Sequence, residues 1–300
     1  MRRSPGLPTV AALVVAMITI SSSAPLIAYA AAPALAIAFW RNALAVGVLV
    51  PVTAATRQAE VRRLGRRTAA PAVLAGLALA VHFGTWVPSA KLTTAAAATA
   101  MLSTQPIWAA LLSAARRVPV PPATWLGIGV AVAGAALATR ADLTVSGRAV
   151  TGDLLAVAGG MAGAVYATLG ERARAALSTT TYTTICYAVC AAALAAACLA
   201  GRVPLHGFNG TTWLAIAALT AGPQLFGHSL VNYALRRVSA TTVSVLMLIE
   251  TPGAALIAWA WLGQAPNPRS VPGLVLLVLG VAVVVLGPAR KPVSPRTAEP

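Results

Sequence analysis

Residues 82–134, HFGTWVPSAKLTTAAAATAMLSTQPIWAALLSAARRVPVPPATWLGIGVAVAG, return without a gap as residues 228–280, HSLVNYALRRVSATTVSVLMLIETPGAALIAWAWLGQAPNPRSVPGLVLLVLG. Ten of the 53 aligned pairs are identical, and in so Ala- and Val-rich a chain the weight falls on the rarer matches: His82 on His228, Met101 on Met247, Leu102 on Leu248, Pro106 on Pro252, Pro122 on Pro268, Gly127 on Gly273 and Gly134 on Gly280. Two of only three histidines pair. Self-similarity at a fixed spacing marks a chain built from repeated structural units.

Composition sets the medium. The chain is 58% hydrophobic and 9% charged, with mean hydropathy +0.80, whereas a soluble domain is roughly 45–50% apolar and about 25% charged. This is the composition of an integral membrane protein. The net charge of +16 does not point to nucleic acid, because the cations stand in short clusters between apolar runs. Cys186, Cys190 and Cys198 share one apolar run with no His or carboxylate beside them; they read as packing residues, and neither a metal nor a cofactor is expected.

A bilayer-crossing helix needs about 20 mostly apolar residues. Ten runs qualify, at 8–30, 33–53, 70–90, 93–115, 123–139, 151–170, 179–201, 211–234, 238–262 and 270–288. The longest polar link, Arg140 to Gly152, divides them into a first five-helix repeat over 8–140 and a second over 151–288, with a linker over 141–150 and a tail over 289–300. Met1-Arg2-Arg3, the apolar run and Ala28-Tyr29-Ala30 together resemble a secretory signal. The length of that run and its break at Ser21-Ser22-Ser23-Ala24-Pro25 favour a retained transmembrane helix.

Cytoplasmic loops hold the excess of Lys and Arg. With the N-terminus inside, the inner loops and ends carry sixteen of these cations and the outer loops five, leaving Arg41 within a span. Both termini are therefore expected in the cytoplasm, with the protein in the plasma membrane. A unit of five helices is odd, so its copy enters the bilayer from the opposite face. The expected fold is an all-α integral membrane protein of ten transmembrane helices in two inverted five-helix repeats, an arrangement that gives secondary transporters two related states and a site near the midplane.

Ionisable groups inside spans are costly and usually face the bundle interior. Glu250 is the only acidic residue in the middle of a span, and it reads either as a proton- or cation-coupling carboxylate or as an ion-pair partner of Arg41. Arg41, in Phe39-Trp40-Arg41-Asn42, reads as a binding group for a carboxylate or phosphate or as a cation snorkelling to the interface. His82, Gln105, His228 and Asn232 are candidate hydrogen-bonding lining, the histidines alternatively packing groups. Trp86, Trp108 and Tyr166 could wall a pocket or simply pack. Gly159, Gly160 and Gly163 permit close helix approach, within the chain or in a dimer. Pro106 and Pro252 would each free backbone carbonyls near the midplane, which is tolerable where they line a cavity.

These residues resemble the EamA-type transporters of the drug/metabolite transporter superfamily. The resemblance covers residues 8–288. It rests on Ser21-Ser22-Ser23-Ala24-Pro25-Leu26-Ile27 with Ala38-Phe39-Trp40-Arg41, and on His82-Phe83 with Trp86 leading into Leu92-Thr93-Thr94-Ala95. In the second half it rests on Gly152-Asp153-Leu154-Leu155, on the run from Gly227 through His228 and Asn232 to Leu235, and on Ser239-Ala240-Thr241 ahead of Glu250. Thr251 separates Glu250 from Pro252, where family members often have the two adjacent. The resemblance implies ten helices in two inverted repeats and movement of small metabolites, amino acids or drugs.

The expected function is secondary active transport of a small organic solute by alternating access, in the direction of export, with proton or cation coupling through Glu250. The expected partners are that solute and the lipid bilayer, with no nucleic acid, for a monomer or a homodimer. A passive facilitator or lipid flippase would use the same scaffold. A membrane enzyme acting on lipid phosphates would need clustered carboxylates, a His/Cys metal set or a basic phosphate loop, and six acidic residues in the chain supply none of these, so no enzymatic activity is expected.

Overall fold

In lipid a backbone must satisfy its own hydrogen bonds within the segment that crosses, and α-helices do so. A computed structural model describes residues 6–92, 95–139, 147–263 and 268–286, and within them the chain is helical and contains no strand. The expected linker falls largely outside the described residues, and the expected tail and Met1-Arg2-Arg3 fall wholly outside them.

The helices are α1 (Leu7–Ser21), α2 (Ser23–Tyr29), α3 (Ala34–Thr56), α4 (Gln58–Arg62), α5 (Arg66–Leu92), α6 (Ala95–Leu102), α7 (Gln105–Ala115) and α8 (Pro122–Thr139) in the first half. In the second half they are α9 (Gly147–Arg174), α10 (Thr179–Ala200), α11 (Gly210–Leu219), α12 (Ser229–Ala234), α13 (Ala240–Leu246), α14 (Glu250–Leu262) and α15 (Val271–Leu286). Eight stretches are long and apolar enough to cross a bilayer. The expected fourth and fifth runs differ from the other eight: 93–115 is divided into α6 and α7, and Pro122–Ala138 is a shorter apolar helix.

Each interruption of a long helix lies four residues before a proline. A proline has no N–H to give to the carbonyl four residues back, and its ring crowds that carbonyl. So α1 ends at Ser21 ahead of Pro25, α6 at Leu102 ahead of Pro106, and α11 at Leu219 ahead of Pro223. A 3-10 turn over Met247–Ile249 likewise brackets Leu248, four residues before Pro252. After α11 the chain widens into a π-helix over Thr220–His228 before α12 resumes. Ser21 and Ser22 add to the first break by donating their hydroxyls to the carbonyls of Met17 and Thr19, each at 2.7 Å, a local bond that competes with the helix.

The duplication is visible in the packing. A Cβ placed on Gly127 would lie 2.8 Å from the carbonyl oxygen of Gly280, and one on Gly134 would lie 2.7 Å from that of Gly273. Reciprocally, a Cβ on Gly273 would lie 2.7 Å from the Gly134 oxygen, and one on Gly280 would lie 2.7 Å from Ala131. Rising numbers in α8 meet falling numbers in α15, so these matched helices run antiparallel and the second copy is inverted relative to the first at this pair. The same exchange appears elsewhere: α5 packs on α9, while its counterpart, the π-helix with α12, packs on α1. α3 packs on α10 and α7 on α13, closing the bundle around a core that includes Ile37, Leu79, Phe83, Tyr182 and Tyr187.

Candidate functional site

The proline breaks of α6–α7 and α13–α14 occupy matched positions, and they place Gln105 at the start of α7 and Glu250 at the start of α14. Across from them stand His82 and Trp86 on α5 and His228 at the end of the π-helix. These five of the expected site residues border one cavity, shared with Ser244, Thr251 and others, and each of the five is buried. First-repeat and second-repeat residues thus face each other across the cavity.

Glycines make room for this lining. A side chain at Gly163 would stand 2.7 Å from Gln105 Oε1 and 3.0 Å from His82 Nδ1, and one at Gly159 would stand 3.2 Å from Trp86 Cβ. The small-residue spacing of α9 therefore serves close packing inside the chain, against α5 and the α6–α7 break. The carbonyl of Gly159 lies 2.8 Å from His82 Nδ1; a carbonyl only accepts, so Nδ1 carries a proton. Gln105 Nε2 donates to Ser244 Oγ at 3.2 Å, linking the two broken helices. Trp86 lies nearly parallel to His82, with ring centroids 6.1 Å apart.

Behind His228 lies a second polar layer. Tyr166 donates its hydroxyl to Asn232 Oδ1 at 2.8 Å, and Asn232 Nδ2 in turn approaches the Tyr187 hydroxyl at 3.5 Å. Trp108 stays out of the cavity, its indole nitrogen donating to Thr104 Oγ1 at 3.2 Å.

Arg41 departs from both structural expectations. It is fully buried, which overturns the snorkelling reading. Its Nε donates to Gln224 Oε1 at 2.9 Å, while both terminal nitrogens lack a hydrogen-bond partner, so the expected pairing with Glu250 is not formed. Gln224 Nε2 donates to Asn42 Oδ1 at 3.0 Å, and Asn42 Nδ2 to the Ala38 carbonyl at 2.9 Å. The guanidinium also sits 4.3 Å from the centre of the Phe83 ring, within cation–π range. Sequence reasoning missed Gln224 as a site residue, although an amide inside an apolar run is the same signal that singled out Gln105 and Asn232. It also missed Tyr187 and Ser244, whose types are too common in helices to stand out.

The cavity measures about 30 Å³, enough for a water molecule, whereas pockets for organic ligands run to roughly 300–1,000 Å³. As it stands the cavity is too small to hold an organic solute. Among the described residues no His, Cys, Asp or Glu group could hold a metal ion.

A model of the EamA-like transporter family matches residues 7–140 and again residues 150–286. A solved structure described as "Crystal structure of protein" superposes with a TM-score of 0.74 at 21% identity, covering 93% of this chain and 97% of that one, which shows a shared fold. No curated protein matches the chain. Two family matches, one on each copy of the internal repeat, account for nearly the whole length, and the chain belongs to the EamA-like transporter family, consistent with membership of the drug/metabolite transporter superfamily.

Proposed function

We propose that this protein is a secondary active transporter that moves a small organic solute, a metabolite, amino acid or drug, by alternating access. On this reading it sits in the plasma membrane with both termini in the cytoplasm. The α6–α7 pair and α8 supply the fourth and fifth of ten crossings, and export is the working direction. The observation that carries the proposal is the buried cavity walled by His82, Trp86 and Gln105 from one repeat and by His228 and Glu250 from the other. A site shared by two inverted units is exposed to one face or the other as the units rock. Its small volume fits a state closed to both sides.

Glu250 is the coupling group in this scheme. It is a buried carboxylate at the first turn of α14, without an ion-pair partner among the described residues, where proton uptake and release would accompany the change of state. The test is a panel of metabolites assayed for uptake and efflux in proteoliposomes with and without a pH gradient. Gradient-driven accumulation of at least one solute is expected, and Glu250→Gln should abolish accumulation while leaving downhill exchange. Flux that never exceeds equilibrium in the wild type would make the protein a passive facilitator. Intact accumulation in Glu250→Gln would remove Glu250 from the coupling role.

A further inference from the structure

The sequence supplies Arg41 with no acidic neighbour, and among the described residues no carboxylate bonds to it, Glu250 acting on its charge only from a distance. A guanidinium stays charged in a protein, and an unpaired charge away from water is among the costliest groups a fold can keep. Here the cost is maintained by construction. The Ala38 carbonyl holds Asn42, Asn42 holds the Gln224 amide, and Gln224 Oε1 takes the Arg41 Nε–H, so the guanidinium is fixed by a chain of three hydrogen bonds. The face of Phe83 completes its seat. What this seat leaves free is the edge formed by the two terminal nitrogens, both buried and unpartnered. That two-pronged edge has the shape that pairs with the oxygens of a carboxylate or phosphate.

We propose that the solute carried by this transporter bears an anionic group, a carboxylate or a phosphate ester, and that Arg41 anchors it. The inference rests on the transport reading above and names the substrate class for the same site. Arg41 is one ring removed from the cavity. Phe83, on which it sits, meets His228 edge-on at 5.4 Å, and His228 lines the cavity. The π-helix carries both Gln224 and His228, so a single change in its winding moves the anchor's partner and the cavity wall together. π-helical turns are sites of such adjustment. The cavity already offers further unpartnered polar atoms at Trp86 Nε1, a donor only, and at His228 Nδ1.

The test compares matched solutes on the purified full-length protein. Benzoate, succinate and phenyl phosphate are set beside benzamide, succinamide and phenol, and each is scored for a saturable rise in melting temperature and for transport in proteoliposomes. At least one anion should raise the melting temperature where its neutral counterpart does not. Arg41→Lys, which keeps the charge and loses the fork, should weaken that binding by about tenfold or more. Gln224→Glu should abolish it, because a carboxylate on the Nε edge then neutralises Arg41, and a single cooperative melting transition shows that the variant folds despite losing the donor to Asn42. Transport confined to neutral or cationic solutes, or anion binding unchanged in Gln224→Glu, would overturn the proposal and leave the transport function standing. A protein that binds the anions through Arg41 yet moves no solute would overturn the transport reading instead.

Discussion

Gly134 of α8 and Gly273 of α15 exchange contacts: a Cβ added to either one would lie 2.7 Å from the other's carbonyl oxygen. They are not each other's copies in the repeat; each is the copy of the other's neighbour one turn pair along, Gly127 or Gly280. The antiparallel crossing of α8 and α15 therefore depends on two glycines placed twice by one duplication. Helix backbones this close tolerate no methyl group. Gly134→Ala and Gly273→Ala should each lower the stability of the detergent-solubilised protein by about 1–3 kcal/mol, the usual cost of overpacking. Gly129→Ala, in the same helix but with open space at its Cβ, should be neutral or stabilising by up to about 1 kcal/mol, since alanine is the better helix former. Equal melting temperatures for the Gly129 and Gly134 variants would show that the α8–α15 contact is looser than described.

Glu60, on the short helix α4 outside the spans, accepts the backbone N–H of Ser178 at 2.7 Å, at the start of α10. An acidic group at a helix N-terminus satisfies an orphan donor and meets the positive end of the dipole. Partial burial acts to raise its pKa, but the bonds from Ser178 and Thr181 with the charge of Arg57 outweigh this and hold the carboxyl below its ordinary value. A carboxyl lowered in the folded state contributes stability that is present above its unfolded pKa and is lost as pH falls through the folded one. The wild type should therefore lose stability on the acid side of the ordinary carboxylate range, near pH 4 and below. Glu60→Gln should be less stable at neutral pH and show a smaller acid-side decline. Parallel pH–melting curves for the two proteins would remove Glu60 from this role.

Much of this was legible in the sequence, and the exceptions have physical causes. His82 with His228 and Pro106 with Pro252 disclosed the repeat because these types are rare in an apolar chain, and the prolines then fixed where the helices break. The division of 93–115 at Ser103-Thr104 was not legible in hydropathy, which is continuous across it. Depth along a helix can be counted from the sequence, and this placed Glu250 in the middle of its span. Which way a residue faces around the helix cannot be counted through a π-helix, where each turn takes an extra residue. Gln224 and His228 lie on that segment, and the seat of Arg41 was hidden for that reason.

Pro252 tests whether the break ahead of Glu250 is functional. Proline costs about 3 kcal/mol relative to alanine inside a helix, and α14 would run on from α13 if the Leu248 carbonyl regained a donor. Pro252→Ala should raise the melting temperature and reduce transport, by straightening the segment that turns Glu250 into the cavity. Stability gained at the expense of activity is the expected signature of a strained functional element. A variant that is both more stable and fully active would show that the break serves folding history alone.

Lys91 and Arg174 stand at opposite ends of the α5–α9 pair. Gly159 of α9 lies beside Thr85 and Trp86 of α5, while Gly163 lies beside His82, so α5 and α9 are antiparallel and their C-terminal cations sit at opposite ends. Lys91 Nζ donates to the carbonyls of Ala30 and Ala32, at 3.2 and 2.9 Å, tying the third helix of the first repeat to the connection after its first. Arg174 donates from Nε to the Asn232 carbonyl at 2.9 Å and from its terminal nitrogen to that of Leu177, tying the corresponding parts of the second repeat. A hydrogen bond from a charged donor contributes about 1.5–3 kcal/mol, a range that applies to the buried Arg174, while exposed Lys91 contributes less through solvent screening. Lys91→Met should favour opening at the Lys91 end, and Arg174→Met at the other. With the three native cysteines replaced by alanine and Ser244→Cys as a reporter in the cavity, a membrane-impermeant thiol reagent added to one side of proteoliposomes at a time reads the open face. The two variants should gain labelling from opposite sides; gain from the same side in both would mean that these cations stabilise the helices without gating them.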